Sequence, residues 1–314
     1  MNRSTLRLGT RRSLMARTQA GQVAQMITAR TGRSVELVPV TTFGDVSTAD
    51  LASIGGTGVF VSTLRERLLA GEVDLAVHSL KDLPTAEPEG IVLAAVPARD
   101  DPRDALAARG GAKLADLPQG ARVGTGSTRR VGELRALRRD LDYVPIRGNA
   151  DSRLARVASG DLDAVVLAYA GLIRLCRLDA VTQVFEPDEM LPAAGQGALA
   201  VECRADDTEL IGELAVVDDQ ATRAAVTAER SVLAALEAGC SAPIGAYAAG
   251  IEVLHLQAVV LAVDGLGGVR LSRSGPADTA EQLGRELAAE LLARGAAAYI
   301  PVPGARSNTG EHAT

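Results

Sequence analysis

The chain has 314 residues, 47% of them hydrophobic and 23% charged, a composition for two or three globular domains rather than a disordered or fibrous chain. A net charge of -6, 2% aromatic residues and no Trp argue against general nucleic-acid affinity and against stacking platforms. Three widely spaced cysteines and three histidines leave little for a disulfide framework, a metal site or a Ser-His-Asp relay, and no apolar run follows the basic N-terminus to make a signal peptide or membrane span. The expectation is a cytoplasmic protein with reduced thiols and no metal.

Leu6 to Gly9 reads as a strand, Thr10 to Ser13 as a polar turn, and the residues to about Ala29 as a helix closed by Thr31-Gly32. Val35 to Val40 predicts a second strand, and the Gly-rich stretch Thr42 to Gly58 predicts a mobile loop. Leu64 to Ala70 is helical in pattern. Val73 to Val77 is a short apolar run of the kind buried in a parallel sheet, delivering His78-Ser79-Leu80-Lys81-Asp82 at its end. Arg122 to Ser127 repeats the strand and polar turn of Leu8 to Arg11, and Gly160 to Val166 echoes Gly71 to Val77. Two similar α/β lobes follow from the echo. From about Asp219 the pattern changes to a helix over Ala221 to Leu236, strands over Leu254 to Val263 and on to Ser272 around an Asp264-Gly265 turn, and a helix from Asp278. Asp278 and Glu281 have capping-box spacing, and the tail after Pro303 is expected to be disordered.

Strand-turn-helix connections aim backbone N–H groups and helix N-termini at anions, in clefts beyond the strand ends. In that setting the Asp82 carboxylate can stabilise a cation or move a proton, although Lys81-Asp82 also reads as a solvated ion pair. Lys81 and Lys113 are the only lysines among 33 basic residues, so cationic binding falls to arginine. Arg11, Arg129, Arg130, Arg147, Arg153 and Arg174 sit near predicted strand ends, where guanidinium forks bind carboxylates bidentately; surface charge at helix ends is the competing reading. Cys240 lies in a Gly/Pro-bounded loop after a helix, accessible in pattern but without an activating His or Lys. Cys176 and Cys203 read as packing residues inside elements.

Taken together, Gly9-Thr10-Arg11, His78 to Asp82, Asp101-Pro102-Arg103-Asp104, Gly124 to Arg130, Arg147-Gly148-Asn149, Leu191 to Gly197 and Gly239-Cys240 resemble the hydroxymethylbilane synthase (porphobilinogen deaminase) family, from Leu6 to about Arg294. The resemblance implies an α/β fold of three domains: two lobes like type II periplasmic binding proteins, the first discontinuous, and a small α+β C-terminal domain. The implied boundaries are 1–99 with 196–217, then 100–195, then 218–303, with a tail over 304–314.

It also implies a transferase of tetrapyrrole (haem) biosynthesis that acts as a monomer on porphobilinogen, with no nucleic acid or membrane partner. Four porphobilinogen molecules would be condensed onto a dipyrromethane cofactor joined by a thioether to Cys240, with loss of ammonia and final hydrolysis. Asp82 matches the family's catalytic aspartate. Ser79, Lys81, Asp82, Thr125, Ser127, Arg129, Arg130 and Arg153 match positions that hold the cofactor. Arg11, Ser13, Phe60, Arg147, Gly148, Arg174 and Gln196 match positions that serve the substrate and growing chain, Gln196 within the hinge motif. Ser53 and Thr57 depart from a family pattern of loop lysines, and Gly126-Ser127-Thr128 replaces a common Ser-Ser-Leu. The competing readings are a two-lobed binding module, which needs neither Asp82 nor Cys240, and an inactive homologue with an unmodified Cys240.

Overall fold

The computed structural model describes residues 5–41, 58–238 and 242–300. The loop expected over 42–58 falls outside these residues except for Gly58, as do Ser53, Thr57, Cys240 and the tail, and the side chain of Phe60 is also outside them.

The first sheet is built around β1 (Leu6–Arg11), β2 (Val35–Val40), β3 (Leu75–Ser79) and β4 (Ile91–Ala95). The second contains β5 (Asp104–Ala108), β6 (Arg122–Gly124), β7 (Asp142–Val144), β8 (Ala164–Ala168) and β9 (Gln183–Val184). A later strand, β10 (Leu199–Arg204), returns to the first sheet. The strand orders are β2-β1-β3-β10-β4 and β7-β6-β8-β5-β9, so the internal echo in the sequence is a repeated lobe. Each sheet takes one antiparallel strand from across the inter-lobe connections: β10 pairs antiparallel with β3 and β4, and β5 with β8. The chain therefore crosses between lobes twice, once before β5 and once before β10.

The run expected in a parallel sheet is parallel only on one side. β3 lies parallel to β1 and antiparallel to β10. Strands buried on both faces read as continuous apolar runs in either direction, and the partner here comes from more than a hundred residues away in sequence. β1 stays paired with β2 up to Arg11 opposite Val40, so Thr10 and Arg11 are strand residues rather than turn residues.

Helix α1 (Leu14–Thr31) has the predicted ends: the Ser13 hydroxyl accepts the Ala16 N–H at 3.3 Å, and Gly32, at φ 71°, donates its N–H to Thr28 O. Helix α2 (Gly58–Leu69) begins at Gly58 rather than Leu64. The second lobe adds α3 (Thr128–Leu137), α4 (Ala150–Ala158) and α5 (Tyr169–Arg174), and α6 (Thr208–Leu214) completes the first. Cys203 is fully buried in β10, but Cys176 is exposed at φ 55°, just past α5. The expectation of a packing role for Cys176 is thus corrected: α5 stops at Arg174, and the reversal turns this residue outward.

The third domain comprises α7 (Gln220–Ala235), the antiparallel sheet of β11 (Ile244–Ala249), β12 (Val253–Leu261) and β13 (Gly268–Pro276), and α8 (Ala280–Ala293). Val232, Leu254, Leu256, Leu287 and Leu291 make its core. Gly284 lets α8 approach α7 closely; a Cβ there would sit 2.4 Å from Ala228 O. The expected capping box does not form. A 3-10 turn over Ala277–Thr279 precedes the helix, and the residue at its N-terminus, Thr279, makes no side-chain cap. Among the described residues no helix is long and apolar enough to cross a membrane.

Candidate active site

β3 runs out at Ser79 and the chain folds at once into a 3-10 turn, Leu80–Asp82. The turn is seated by Leu80, whose buried side chain lies beneath it and whose N–H reaches Ala198 O at 3.0 Å. Gln19 of α1 donates to Ser79 Oγ at 2.8 Å. Asp82 is partly exposed, and no hydrogen bond from a described residue occupies its carboxylate. A partly exposed carboxylate on a seated turn, without a hydrogen bond from a described residue, can meet a positive charge or an N–H donor.

Lys81 donates from Nζ to Gln196 Oε1 at 3.2 Å and also feels the Asp82 charge. Burial, reinforced by the neighbouring Arg130, brings its pKa down to about 8. The amide of Gln196, fully buried, also donates to Pro102 O at 2.7 Å and Asp104 Oδ1 at 2.9 Å. Gln196, in the segment that leads into β10, thereby ties the first-lobe turn to the segment that leads into β5.

In the second lobe, β6 leads through Thr125 to Ser127, whose hydroxyl caps α3 by accepting the Arg130 N–H. Thr125 is buried, and its Oγ1 accepts the Ser127 N–H at 3.2 Å. Arg129 and Arg130 then turn inward onto Asp104. Arg129 Nη2 is 2.8 Å from Oδ2, while Arg130 Nη2 and Nε are 2.6 and 3.0 Å from Oδ1. Burial alone would raise the Asp104 pKa, but the two guanidiniums outweigh it and hold it at about 2. Arg129 also donates to Glu133 Oε2 and Leu191 O, and burial, against that pull from Arg129, pushes Glu133 up to about 7.

These pairs do not use all the cationic donors. Arg129 Nε and Arg153 Nε are buried without a hydrogen-bond partner among the described residues, and Arg153 is depressed in pKa by burial and then by Arg130. Buried cationic N–H groups without acceptors are costly unless a ligand supplies the acceptors. A dipyrromethane bearing acetate and propionate arms fits that requirement, since each arm ends in a carboxylate.

The other anticipated residues are spread around this centre. Arg11 is partly exposed at the end of β1, beside Ser13 at the N-terminus of α1. Arg147 is exposed and precedes Gly148, whose φ of 105° and 2.3 Å separation from Ser152 Oγ for an added Cβ demand glycine. Arg174 is buried, donating to Asp100 Oδ2 at 2.8 Å and Gly197 O at 2.6 Å, so it braces the two crossings. The sequence reading missed the internal roles of Asp104, Glu133 and the fully buried Glu229. A carboxylate heading the apolar strand Asp104–Ala108 was a readable signal for the first.

Two α/β lobes, a buried cluster of Arg129, Arg130 and Lys81 around Asp104 and Gln196, and a carboxylate at Asp82 without a hydrogen bond from a described residue define the class: a two-lobed α/β protein with a cationic centre. Residues 6–212 match the model of the porphobilinogen deaminase dipyromethane cofactor binding domain, and residues 223–293 match the porphobilinogen deaminase C-terminal domain. The chain belongs to the porphobilinogen deaminase family. It is 61% identical to the porphobilinogen deaminase of Thermobifida fusca, over 94% of this chain and 96% of that one. Identity to the Mycobacterium tuberculosis porphobilinogen deaminase is 54%, over 93% and 97%. Among solved structures, a periplasmic substrate-binding protein of an ABC transporter from Coxiella burnetii aligns at TM-score 0.43 and 15% identity, over 68% of this chain and 92% of that one. The methionine-binding protein MetQ aligns at 0.44 and 14%, over 67% and 88%. These partial likenesses add nothing to the strand order.

Proposed function

We propose that this chain is a hydroxymethylbilane synthase, condensing four porphobilinogen molecules head to tail onto a dipyrromethane primer on Cys240 and then releasing the linear tetrapyrrole by hydrolysis. The primer, when bound, supplies a pyrrole α-carbon as nucleophile, with carboxylate arms for recognition. Each condensation forms one C–C bond and breaks the C–N bond of the substrate's aminomethyl group; the proton lost from the α-carbon balances the amine that leaves as ammonia.

Within this reading, Ser79, Lys81, Thr125, Ser127, Arg129, Arg130 and Arg153 hold the primer, and Arg11, Ser13, Phe60, Arg147, Gly148 and Arg174 receive incoming substrate and the lengthening chain. Gln196 serves the same site through the hinge. Asp82 faces the pyrrole N–H groups, stabilises the positive charge that develops as ammonia departs, and handles the proton. Every added ring brings two more carboxylates, which the arginine-lined cleft neutralises. The domain limits are proposed as 1–99 with 196–217, 100–195 and 218–303, in a cytoplasmic monomer.

The observation that carries the reading is the pair of buried guanidinium nitrogens, Arg129 Nε and Arg153 Nε, that find no acceptor among the described residues, in the same chain as Asp82, whose carboxylate takes no hydrogen bond from a described residue. The test is intact mass of the wild-type chain beside Cys240→Ala, followed by peptide mapping. A dipyrromethane-sized adduct on Cys240, absent from the variant, is expected. An unmodified wild-type chain that stays unmodified after incubation with porphobilinogen would overturn it.

A further inference from the structure

Helix α7 belongs to the third domain, yet one of its side chains grips the first lobe. Arg230 Nη2 donates to Pro84 O at 2.7 Å, and Nη1 donates to Leu83 O at 3.0 Å and, more weakly, to Leu80 O at 3.4 Å. Leu80 and Leu83 bracket Lys81 and Asp82, so the guanidinium holds the backbone on both sides of the Asp82 turn. One 3-10 turn has little internal hydrogen bonding to keep its shape, and Leu83 N–H to Leu80 O at 3.1 Å is the bond that closes this one. Convergent carbonyls suit a planar forked donor; an ammonium cannot span them in the same way.

The preceding residue anchors the helix from which Arg230 reaches. Glu229, fully buried, accepts from Arg99 at 2.6 and 3.1 Å, from Gly195 N–H at 2.7 Å and from Ala248 N–H at 2.9 Å. The base of Arg230 is thereby fixed to the hinge and to β11 at once. In sequence, the helix leads directly toward Cys240.

We infer that Arg230 is a positioning residue for the reaction: it holds the Asp82 turn against α7, so that the carboxylate meets the reacting pyrrole at a fixed distance. The inference rests on the proposed function. It differs from simple attachment of one domain to another because it places the effect on the chemical step.

The test uses the full chain carrying Arg230→Met, which keeps an apolar stem and loses the donors, and Arg230→Lys. Cofactor content is read by intact mass, and kcat and KM by porphobilinogen consumption. In Arg230→Met, kcat is expected to fall about 10- to 100-fold, the loss that a misplacement of about 1 Å brings, with little change in KM and full cofactor occupancy. Arg230→Lys is expected to fall in between, and it carries the test if the Met variant does not fold. Wild-type kcat in either folded, loaded variant would overturn the inference, as would a kcat loss that only tracks loss of cofactor. A wild-type chain that is loaded but consumes no porphobilinogen would instead overturn the functional reading beneath it.

Discussion

Asp82 and Asp104 show how environment divides labour between identical side chains. Asp104 is wholly buried and spent on Arg129, Arg130 and Gln196, so it organises cations and has no capacity left for a ligand. Asp82 keeps its carboxylate available on a braced turn. Replacing Asp82 by Asn removes the charge and preserves the shape; kcat is expected to fall about 10²–10³-fold, while intact mass still shows the primer on Cys240. Undiminished turnover in that loaded variant would remove Asp82 from the chemistry. The sequence placed Asp82 correctly just past the end of an apolar strand, but the commitment of Arg129 and Arg130 to Asp104 was invisible there, because it joins residues 25 and 26 positions apart that only the folded sheet brings together.

At the scale of elements, local chemistry was readable where it was decided locally. Ser13 and Gly32 mark the ends of α1 because one supplies an acceptor and the other a left-handed backbone. The same rule applies to α7, whose first turn is capped by Asp219 Oδ1 accepting the Thr222 N–H at 2.7 Å. Asp219→Ala is expected to cost about 1 kcal/mol, seen as a lower urea midpoint at unchanged slope; an unchanged midpoint would show that tertiary packing alone holds the helix start. The rule failed at Asp278, where spacing promised a capping box and an inserted 3-10 turn moved the helix start to Ala280. Spacing records which residues can reach each other, and the turn geometry decides whether they do.

The whole molecule depends on carboxylates held ionised inside it. Glu202 of β10 is a second example beside Asp104: burial would raise its pKa, but His78 and Arg65 hold it at about 2, with Arg65 Nη2 at 2.6 Å. Both pKa values lie below the ordinary carboxylate range. Their contribution to stability is therefore present above about pH 4 and is lost as pH falls toward 2. Glu133 has the opposite sign; its contribution is full below its ordinary range and fades as pH rises through about 7. The urea midpoint is expected to drop steeply between about pH 4 and 2, and a midpoint that stays level there would contradict the buried pairs. Asp104 joins Arg129 and Arg130 to Gln196, so the same acid loss is expected to release the contacts between α3, β5 and the segment before β10.

The sequence by itself determined several of the strands, the ends of α1, the repeated lobe and the motifs that carry the family resemblance, because periodicity, turn chemistry and short spacings are set by neighbouring residues. It also singled out Cys240 and Asp82. Only the tertiary structure decided the antiparallel insertion of β10 into the first sheet, the outward turn of Cys176, the clustering of Arg129, Arg130, Gln196 and Lys81 around the hinge, and the reach of Arg230 to the Asp82 turn. Those depend on which distant segments share a buried volume, where an unpaired charge costs too much to stand alone.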